Sequence, residues 1–463
     1  MPGLFQGLEI GKRALLSHQL VLQTIGQNIA NVNTPGYTRQ RVNIQATNPE
    51  EVTYGSVGTG ITVTDIRHIR DLFLGQQEQE ATKSLGQWSY KDKTLSEIEA
   101  LYNEPQDNSL SHLLSAFWDS WSQLATNSDS ISNRKAVVAT AGQLIAGFQQ
   151  LSRKLMDLRE ATDRDVTNMV ADINQKTADI ARINQQIAGA ELGGHRANDL
   201  RDARDLITRE LSSLVDVRTI EKPNGETIVH MGAMALVDGS QSFPIASETA
   251  NKNGVSTSRI VWKGTSVQLT NLSGQLAGVM ETRDVLVQDN LDGLDELAQT
   301  IIEQVNAIHV TGYGMNGTTG VAFFDPNFSS ASTMRLSQDV ANDQGKVAAA
   351  SVITGDNHIA LALSELRDAK VMNENVSSMN DFYSSLVGLA GMKAKEASTT
   401  SQNFELLVQQ ISNARQSVEG VNLDEEMANL VRSQHAYDAS ARVITAMDQA
   451  LDTVISGMGV VGR

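Results

Sequence analysis

The chain of 463 residues contains no cysteine, which removes disulfide frameworks, thiolate metal sites and thiol nucleophiles together. The compartment stays open, since a disulfide-free protein can reside anywhere. Aromatic residues make up only 5% and proline only 7 positions, a composition that favours long helices over sandwiches. Basic residues are scarce beside acidic ones, 37 against 54, and the formal charge is -17. A field of that sign repels phosphate-rich partners, so neither nucleic acid nor an anionic membrane is expected as a partner. No apolar run reaches the length of about 18 residues that a bilayer span needs. After Lys12 and Arg13 only Ala14, Leu15 and Leu16 are apolar before Ser17, too short for a secretory leader. The residues alone therefore suggest a cytosolic protein.

What is present is globular: 40% apolar and 20% charged residues, long enough at roughly 150 residues per domain for about three units. Leu8, Gly11, Leu15, His18, Leu22, Ile25, Ile29 and Val32 alternate at spacings of three and four, the seam of a helix built to pack on another. Gly3, Gly7 and Gly11 share one stripe, where missing side chains admit a close neighbour and also let the first turns fray. Pro35-Gly36, within Asn31 to Tyr37, predicts a type II turn that ends the helix.

Short alternating stretches follow at Val52 to Val57 and at Ile61 and Val63. Helical periodicity runs from about residue 70, through Phe117, Trp118 and Trp121, then Leu144 to Leu158 and Val166 to Ile187, with Lys176 as the one polar interruption. From Val215 the period falls to two, and Asn224-Gly225 predicts a hairpin in a small sheet reaching about residue 272. Helix is expected again from Val287 to Ile308 and from His358 to Val418. The Gly-, Ser- and Thr-rich stretch from Gly312 to Gly355 predicts a solvated loop with short strands. A second seam closes the chain: Leu423, Met427, Leu430, Tyr437, Ala441, Ile444, Leu451, Ile455 and Met458, broken at Gln434 and Asp448. Neither terminal helix carries enough apolar surface for a domain, so one should pack on the other, with neighbouring subunits covering the remainder.

Catalytic spacing is hard to find. Gln6 and Arg13 break a phosphate loop around Gly11-Lys12, and Gly312, Gly314 and Gly317 open no helix after a strand. The eight histidines lack any helical pair, so no metal and no cofactor is expected. His18 and His435 fall in or beside the seams. Asp424, Glu425 and Glu426 follow Asn422 at a helix start, where carboxylates meet the positive end of the dipole. A glycosidase pair, as in a peptidoglycan hydrolase, stays open because acids are plentiful, although a sugar cleft wants stacking aromatics.

Two motifs at opposite ends carry a specific resemblance. The run NIANVNTPGYTRQ, with Asn28, Asn31, Asn33, Thr34, Pro35, Gly36, Tyr37, Thr38 and Arg39, resembles the N-terminal signature of bacterial flagellar axial proteins. The run from Val421 to Ile455 resembles that family's C-terminal signature. Within the family of rod, hook and hook-associated proteins, the helical block from about residue 70 to 214 is similar to the hook-associated branch rather than to a largely β hook protein. So is the segment from Leu291 to Phe324. The resemblance covers most of the chain and is weakest between 218 and 272. Many members insert a further β domain after the position of Phe323-Phe324-Asp325, whereas only the loop to Gly355 stands here, so no outermost domain is carried over.

The resemblance implies a structural protein and no enzyme, exported through the flagellar type III channel without a cleaved leader, which reverses the cytosolic reading. It implies an extracellular ring of about eleven copies between hook and filament, with hook protein, hook-associated protein 3 and a cytosolic export chaperone as partners. A hook or rod relative is the alternative. The expected fold is mainly α: an elongated helical bundle (41–214 with 275–420), paired terminal coiled-coil helices (1–40 with 421–463) and one small inserted β domain (215–274). The residues expected to carry assembly are Leu15, Leu22, Ile25, Ile29, Asn31, Thr34, Pro35, Gly36 and Tyr37 at the N-terminus. At the C-terminus, where the chaperone would also bind, they are Asn422, Leu423, Leu430, Tyr437, Ala441, Ile444, Leu451 and Ile455.

Overall fold

The structure is a computed structural model that describes residues 2–458 except 53–54, 103, 105–108, 253–254, 266, 271 and 354; for 2–4, 52, 252, 255–256 and 457–458 it describes the backbone alone. The side-chain surroundings of Gly3 and Met458, and the middle of the stretch from Val52 to Val57, thus lie outside the described residues.

Helix α1 (Pro2–Ala30) leads into a long hairpin of β1 (Gln40–Ala46), β2 (Glu50–Val52), β3 (Gly55–Val57) and β4 (Ile61–His68). β1 pairs antiparallel with β4, and β2 with β3. The alternation at Ile61 and Val63 is therefore one side of a ladder. Its other side escaped notice because Gln40, Arg41, Asn43 and Gln45 mask the strand pattern of β1.

Helices α2 (Leu72–Tyr102), α3 (Leu110–Thr126), α4 (Ile131–Ala190) and α5 (Asn198–Leu214) follow. Side chains of Ser109 and Ser130 cap α3 and α4, accepting the amides of His112 and Asn133. α4 has 60 residues, and at about 1.5 Å per residue it runs roughly 90 Å and sets the length of the bundle. Its buried line passes Ile173, Thr177 and Ile180, so the polar interruption is Thr177, whose hydroxyl donates to the Asn174 carbonyl. Lys176 lies beside the seam and pairs with Glu210 at 2.7 Å.

β5 (Arg218–Glu221), β6 (Thr227–Met231), β7 (Met234–Asp238) and β8 (Gln241–Ser242) form an antiparallel sheet in chain order, and β9 (Ile245–Lys252) pairs with β10 (Val255–Trp262). The Asn224-Gly225 turn is where the sequence puts it, with Gly225 at φ +82° and its amide donating to the Lys222 carbonyl. Helix then resumes earlier than expected: α6 (Gly274–Glu281) continues through a π turn at Thr282–Leu286 into α7 (Val287–His309).

The segment after α7 departs most from expectation. It contains α8 (Gln338–Asn342) and isolated bridges in place of strands, and much of it is core. Phe323, Phe324, Met334, Val340 and Val347 are buried, and Phe323 packs on Trp121 with ring centroids 5.3 Å apart. Small residues let the chain thread the bundle tip: an added Cβ at Gly312 would stand 2.8 Å from both Ala348 and Ile359. His309 is buried beside it, its Nδ1 2.7 Å from the Val321 carbonyl and its Nε2 accepting the Ala348 amide at 2.9 Å. Composition signalled a solvated loop because glycine and serine serve close packing as well as exposure. Helices α9 (His358–Glu365), α10 (Met379–Glu419) and α11 (Leu423–Met458) end the chain. Helices α9 and α10 fill the helical stretch expected from His358, and the connection between them passes through Asn373, Glu374 and Asn375, all at positive φ.

Two apolar cores lie along the bundle. The tip core joins α3, α7 and α9 to Leu144–Leu155 of α4, Leu95–Tyr102 of α2 and Met379–Ala397 of α10. The second joins Val166–Ala181 of α4 to α5, α6 and the inner faces of the strands, through Val229, Val237, Ile260 and Trp262.

Candidate functional site

The signature residues from Asn28 to Gln40 converge on one place, the root where α1 ends, the hairpin begins, α10 stops and α11 starts. Asn28 is buried there and uses its whole amide: its Nδ2 donates to the Gln40 carbonyl at 2.9 Å and to Glu426 at 3.1 Å. Its Oδ1 accepts the Tyr37 hydroxyl at 2.8 Å and the Gln40 amide at 3.0 Å. Burial, with Asp199, Asp202 and Glu426 nearby, pushes the Tyr37 phenol far above its ordinary pKa, so it remains a donor. Between them the Pro35-Gly36 turn forms as predicted. Gly36 takes φ +79° and the Thr34 carbonyl accepts the Tyr37 amide at 3.2 Å.

Beyond the turn the chain is clamped on both sides. The Thr38 amide and hydroxyl both donate to Asp202 of α5, at 3.0 and 2.6 Å, and His68 Nδ1 lies 2.9 Å from the same carboxylate. Gln40 Nε2 donates to Asp199 at 2.9 Å. Arg39 reaches the other way: its amide donates to the Glu419 carbonyl at 2.8 Å, and its guanidinium pairs with Glu425 at 2.7 Å and Glu426 at 2.8 Å. Glu426 is only 2% exposed. Asn422 does cap α11, its Oδ1 accepting the Asp424 and Glu425 amides. The acidic triplet is more than a cap, however, since two of its three carboxylates hold Arg39.

Glu419 also accepts the Asp71 amide at 2.9 Å, and Arg415 pairs with both Glu419 and Glu78. Burial raises the pKa of Glu78 and of Glu419, with Arg415 opposing the shift in each. A groove of about 420 Å³ between residues 31–38 and Ser412, Arg415, Gln416 and Glu419 opens beside this cluster. Among the described residues no group of acidic or histidine side chains has the arrangement of a metal site.

The terminal helices run antiparallel. Gly7 faces Met447, Gly11 faces Ile444, and Asn28 faces Glu426 at the far end. An added Cβ at Gly11 would stand 2.8 Å from Ile444 Cγ1, so the glycine stripe does admit a close neighbour. Carrying that register along sets Ala14 level with Ser440, Ser17 with Tyr437 and Val21 with Ser433. The shared seam therefore mixes small and polar residues with larger apolar ones such as Ile444 and Met447.

Of the expected assembly residues in α1, Ile25 is buried, Leu15, Leu22, Ile29 and Asn31 are half-buried, and Thr34 and Pro35 are exposed at the turn. In α11 the seam includes Leu430, Tyr437, Ala441, Ile444 and Leu451, all half-buried. Leu423, Met427 and Ile455 are not on it, being 47, 51 and 69% exposed. The seam starts from Glu426 and passes Ser433, Ser440 and Met447, so Gln434 and Asp448 do not interrupt it. A buried carboxylate looks like a surface residue in sequence; only Arg39 and Asn28, far away in the chain, reveal its role. Glu426, Asp202, Glu419 and His68 were missed for that reason.

Comparison with known proteins fits this geometry end to end. Residues 8–38 match the flagella basal body rod protein family, 95–324 the flagellar hook-associated protein FlgK helical domain, and 412–457 the flagellar basal body rod FlgEFG protein C-terminal family. Flagellar hook-associated protein 1 of Bacillus subtilis is 33% identical, with the whole of both chains covered. The chain belongs to the flagellar hook-associated protein 1 family. The Escherichia coli member is 25% identical, covering 95% of this chain and 97% of its own length. The flagellar hook junction protein FlgK from Burkholderia pseudomallei shares the fold, with a TM-score of 0.65 at 16% identity over 75% of this chain and all of the solved one. Hook-associated proteins are structural components of the bacterial flagellum, and this family member is one of them.

Proposed function

We propose that this hook-associated protein closes into a ring of about eleven copies that joins hook to filament, with hook protein on one side and hook-associated protein 3 on the other. The observation that carries the reading is the unfinished surface of the terminal pair. Its internal seam leaves Leu15, Leu22, Leu430, Ile444 and Leu451 only half-buried, while Leu16, Leu423, Met427, Val431 and Val443 are exposed on its flanks. An apolar flank of that kind on a soluble chain calls for further protein to cover it. The terminal pair would line the central channel, and the turn at Thr34 to Tyr37 would direct the chain outward into the bundle. Export through the flagellar type III channel belongs to the same reading, with a cytosolic chaperone covering α11 beforehand and the mature protein outside the cell. The role is mechanical and includes no catalytic step. Imaging detached flagella from a strain lacking the protein tests it: hooks without filaments are expected, and normal filaments would overturn it.

A further inference from the structure

The two apolar cores do not merge. On α4 the tip core reaches Leu158 and the other begins at Val166, and on the α6–α7 helix the limits are Leu286 and Met280, while on α2 the two overlap by one turn, since Trp88 packs on the tip core and Tyr90 on the other. Between these limits the crossing helices turn polar groups inward. α2 contributes Lys91 and Thr94, α4 contributes Thr162 and Asp163, and the π turn contributes Thr282 and Arg283. Arg415 on Glu78, with Gly391 beside Glu99, fixes α10 antiparallel to α2 and sets buried Ser401 at the same level. Arg283 is 2% exposed and bonds Asp163 at 2.6 Å, Asp284 at 2.7 Å and the Ser258 carbonyl at 2.8 Å. Lys91 pairs with Glu281 at 2.6 Å, and Tyr90 donates to Asp165 at 2.8 Å. Thr282 Oγ1 and Arg159 Nε, also at this level, are buried without partners.

We infer that this polar waist is a hinge on which the tip half of the bundle bends against the sheet-bearing half. Interdigitated apolar side chains resist a change of angle, and here, among the described residues, α4 and the α6–α7 helix place none at the level, which leaves Trp88 of α2 to cross it beneath Lys91. A π turn carries one residue more than an α turn, and such bulges are where long helices kink. Ion pairs around a guanidinium can re-form through a small rotation, because its fork offers several donors and Asp163 also accepts from the Ser258 amide and hydroxyl. Immediately below, the backbones lock together: an added Cβ at Gly278 would lie 2.6 Å from the Gln87 carbonyl, so the sheet-bearing half is stiff up to the waist. Bending is thereby confined to one level, where it has to move only Trp88 among the apolar side chains of α2.

The absence of cysteine makes the test direct. In the full chain, spin labels at Glu296→Cys with Ala178→Cys span the waist, while Glu296→Cys with Lys395→Cys and Ala178→Cys with Ala203→Cys each stay within one half. Pulsed electron–electron resonance should give a cross-waist distance distribution at least about twofold wider than either control. A cross-waist width equal to the controls overturns the hinge. Replacing the charged pair by Arg283→Met with Asp163→Leu should narrow the cross-waist distribution to the control width. A variant that folds, by circular dichroism, and keeps the wide distribution also overturns it. Should the variant not fold, the comparison in the unaltered waist decides alone.

Discussion

His309 sets a pH limit on the tip core. Both ring nitrogens are committed: Nδ1 donates to the Val321 carbonyl, and Nε2 accepts the Ala348 amide. A proton on Nε2 would face an N–H it cannot bond, in a site closed to solvent. Burial accordingly pushes the imidazole down from 6.5 to about 4. The folded state binds this proton less readily than the unfolded chain, so stability is complete above about pH 6.5 and falls as pH drops towards 4. That interval corresponds to about 3 kcal/mol, at ~1.4 kcal/mol per tenfold in proton affinity. The carboxyls of buried Glu78 and Glu419 and half-buried Asp295 are shifted upward by desolvation and oppose this trend, gaining stability as pH falls through their raised values. His309→Gln isolates the imidazole from them. Urea titrations followed by the fluorescence of Trp118 and Trp121, the latter 6.3 Å from the His309 ring, should show the wild type losing roughly 2 to 3 kcal/mol more than His309→Gln between about pH 7 and pH 4. Equal losses in the two proteins would refute the argument.

Three other outcomes follow from the same structure. Ile444→Asp or Leu451→Asp puts an unpaired carboxylate on the α1–α11 seam at a cost of several kcal/mol per subunit, so filament attachment should disappear while calorimetry of the bundle cores changes little. Asn28→Asp removes two donations and sets a second carboxylate beside Glu426, a loss of about 3 kcal/mol or more that should appear as faster exchange of the Gln40 amide, and unchanged protection there would sink the clasp. In dilute monomer, residues 10–32 and 430–455 should exchange far faster than 137–155, since the seam leaves its leucines and Ile444 only half-buried and helices without a packed partner are marginal; strong protection of the terminal segments would contradict the assembly role.

Periodicity and turn chemistry made much of this molecule legible beforehand. The three-four spacing gave the long helices, Asn224-Gly225 gave its hairpin, and Pro35-Gly36 gave its turn, because each is a local signal with a local cause. The failures share one cause, which is distance along the chain. Glu426 reads as a helix-start carboxylate until Arg39 and Asn28 arrive nearly four hundred residues away in sequence. The stretch from Gly312 to Gly355 reads as solvated until Phe117 and Trp121 close over Phe323 and Phe324. Thr177 and Ser433 occupy seam positions where an apolar search skips to a neighbour, which is how Lys176 and Gln434 were mistaken for interruptions.

The division between apolar and polar contacts explains how a weakly paired terminal segment can still specify one geometry. Apolar burial is non-directional, so an α1–α11 pair held only by leucines could slide by a turn and lose little. The clasp prevents that, because Asn28 and Arg39 each make bonds to fixed points on different elements, and any slip leaves a buried amide or carboxylate unpaired. Those bonds add little net energy against water, so they set the register without making the pair stable alone. On the proposed ring reading the missing energy would come from covering Leu16, Leu423, Met427, Val431 and Val443, which are exposed on the flanks of the pair. Each large apolar side chain so covered contributes about 1.5 to 3 kcal/mol, enough over a few residues to turn a fraying pair into a fixed one. On that reading, geometry is held within the subunit and stability would be supplied between subunits, so that ordering of the termini would wait until a neighbour is in place.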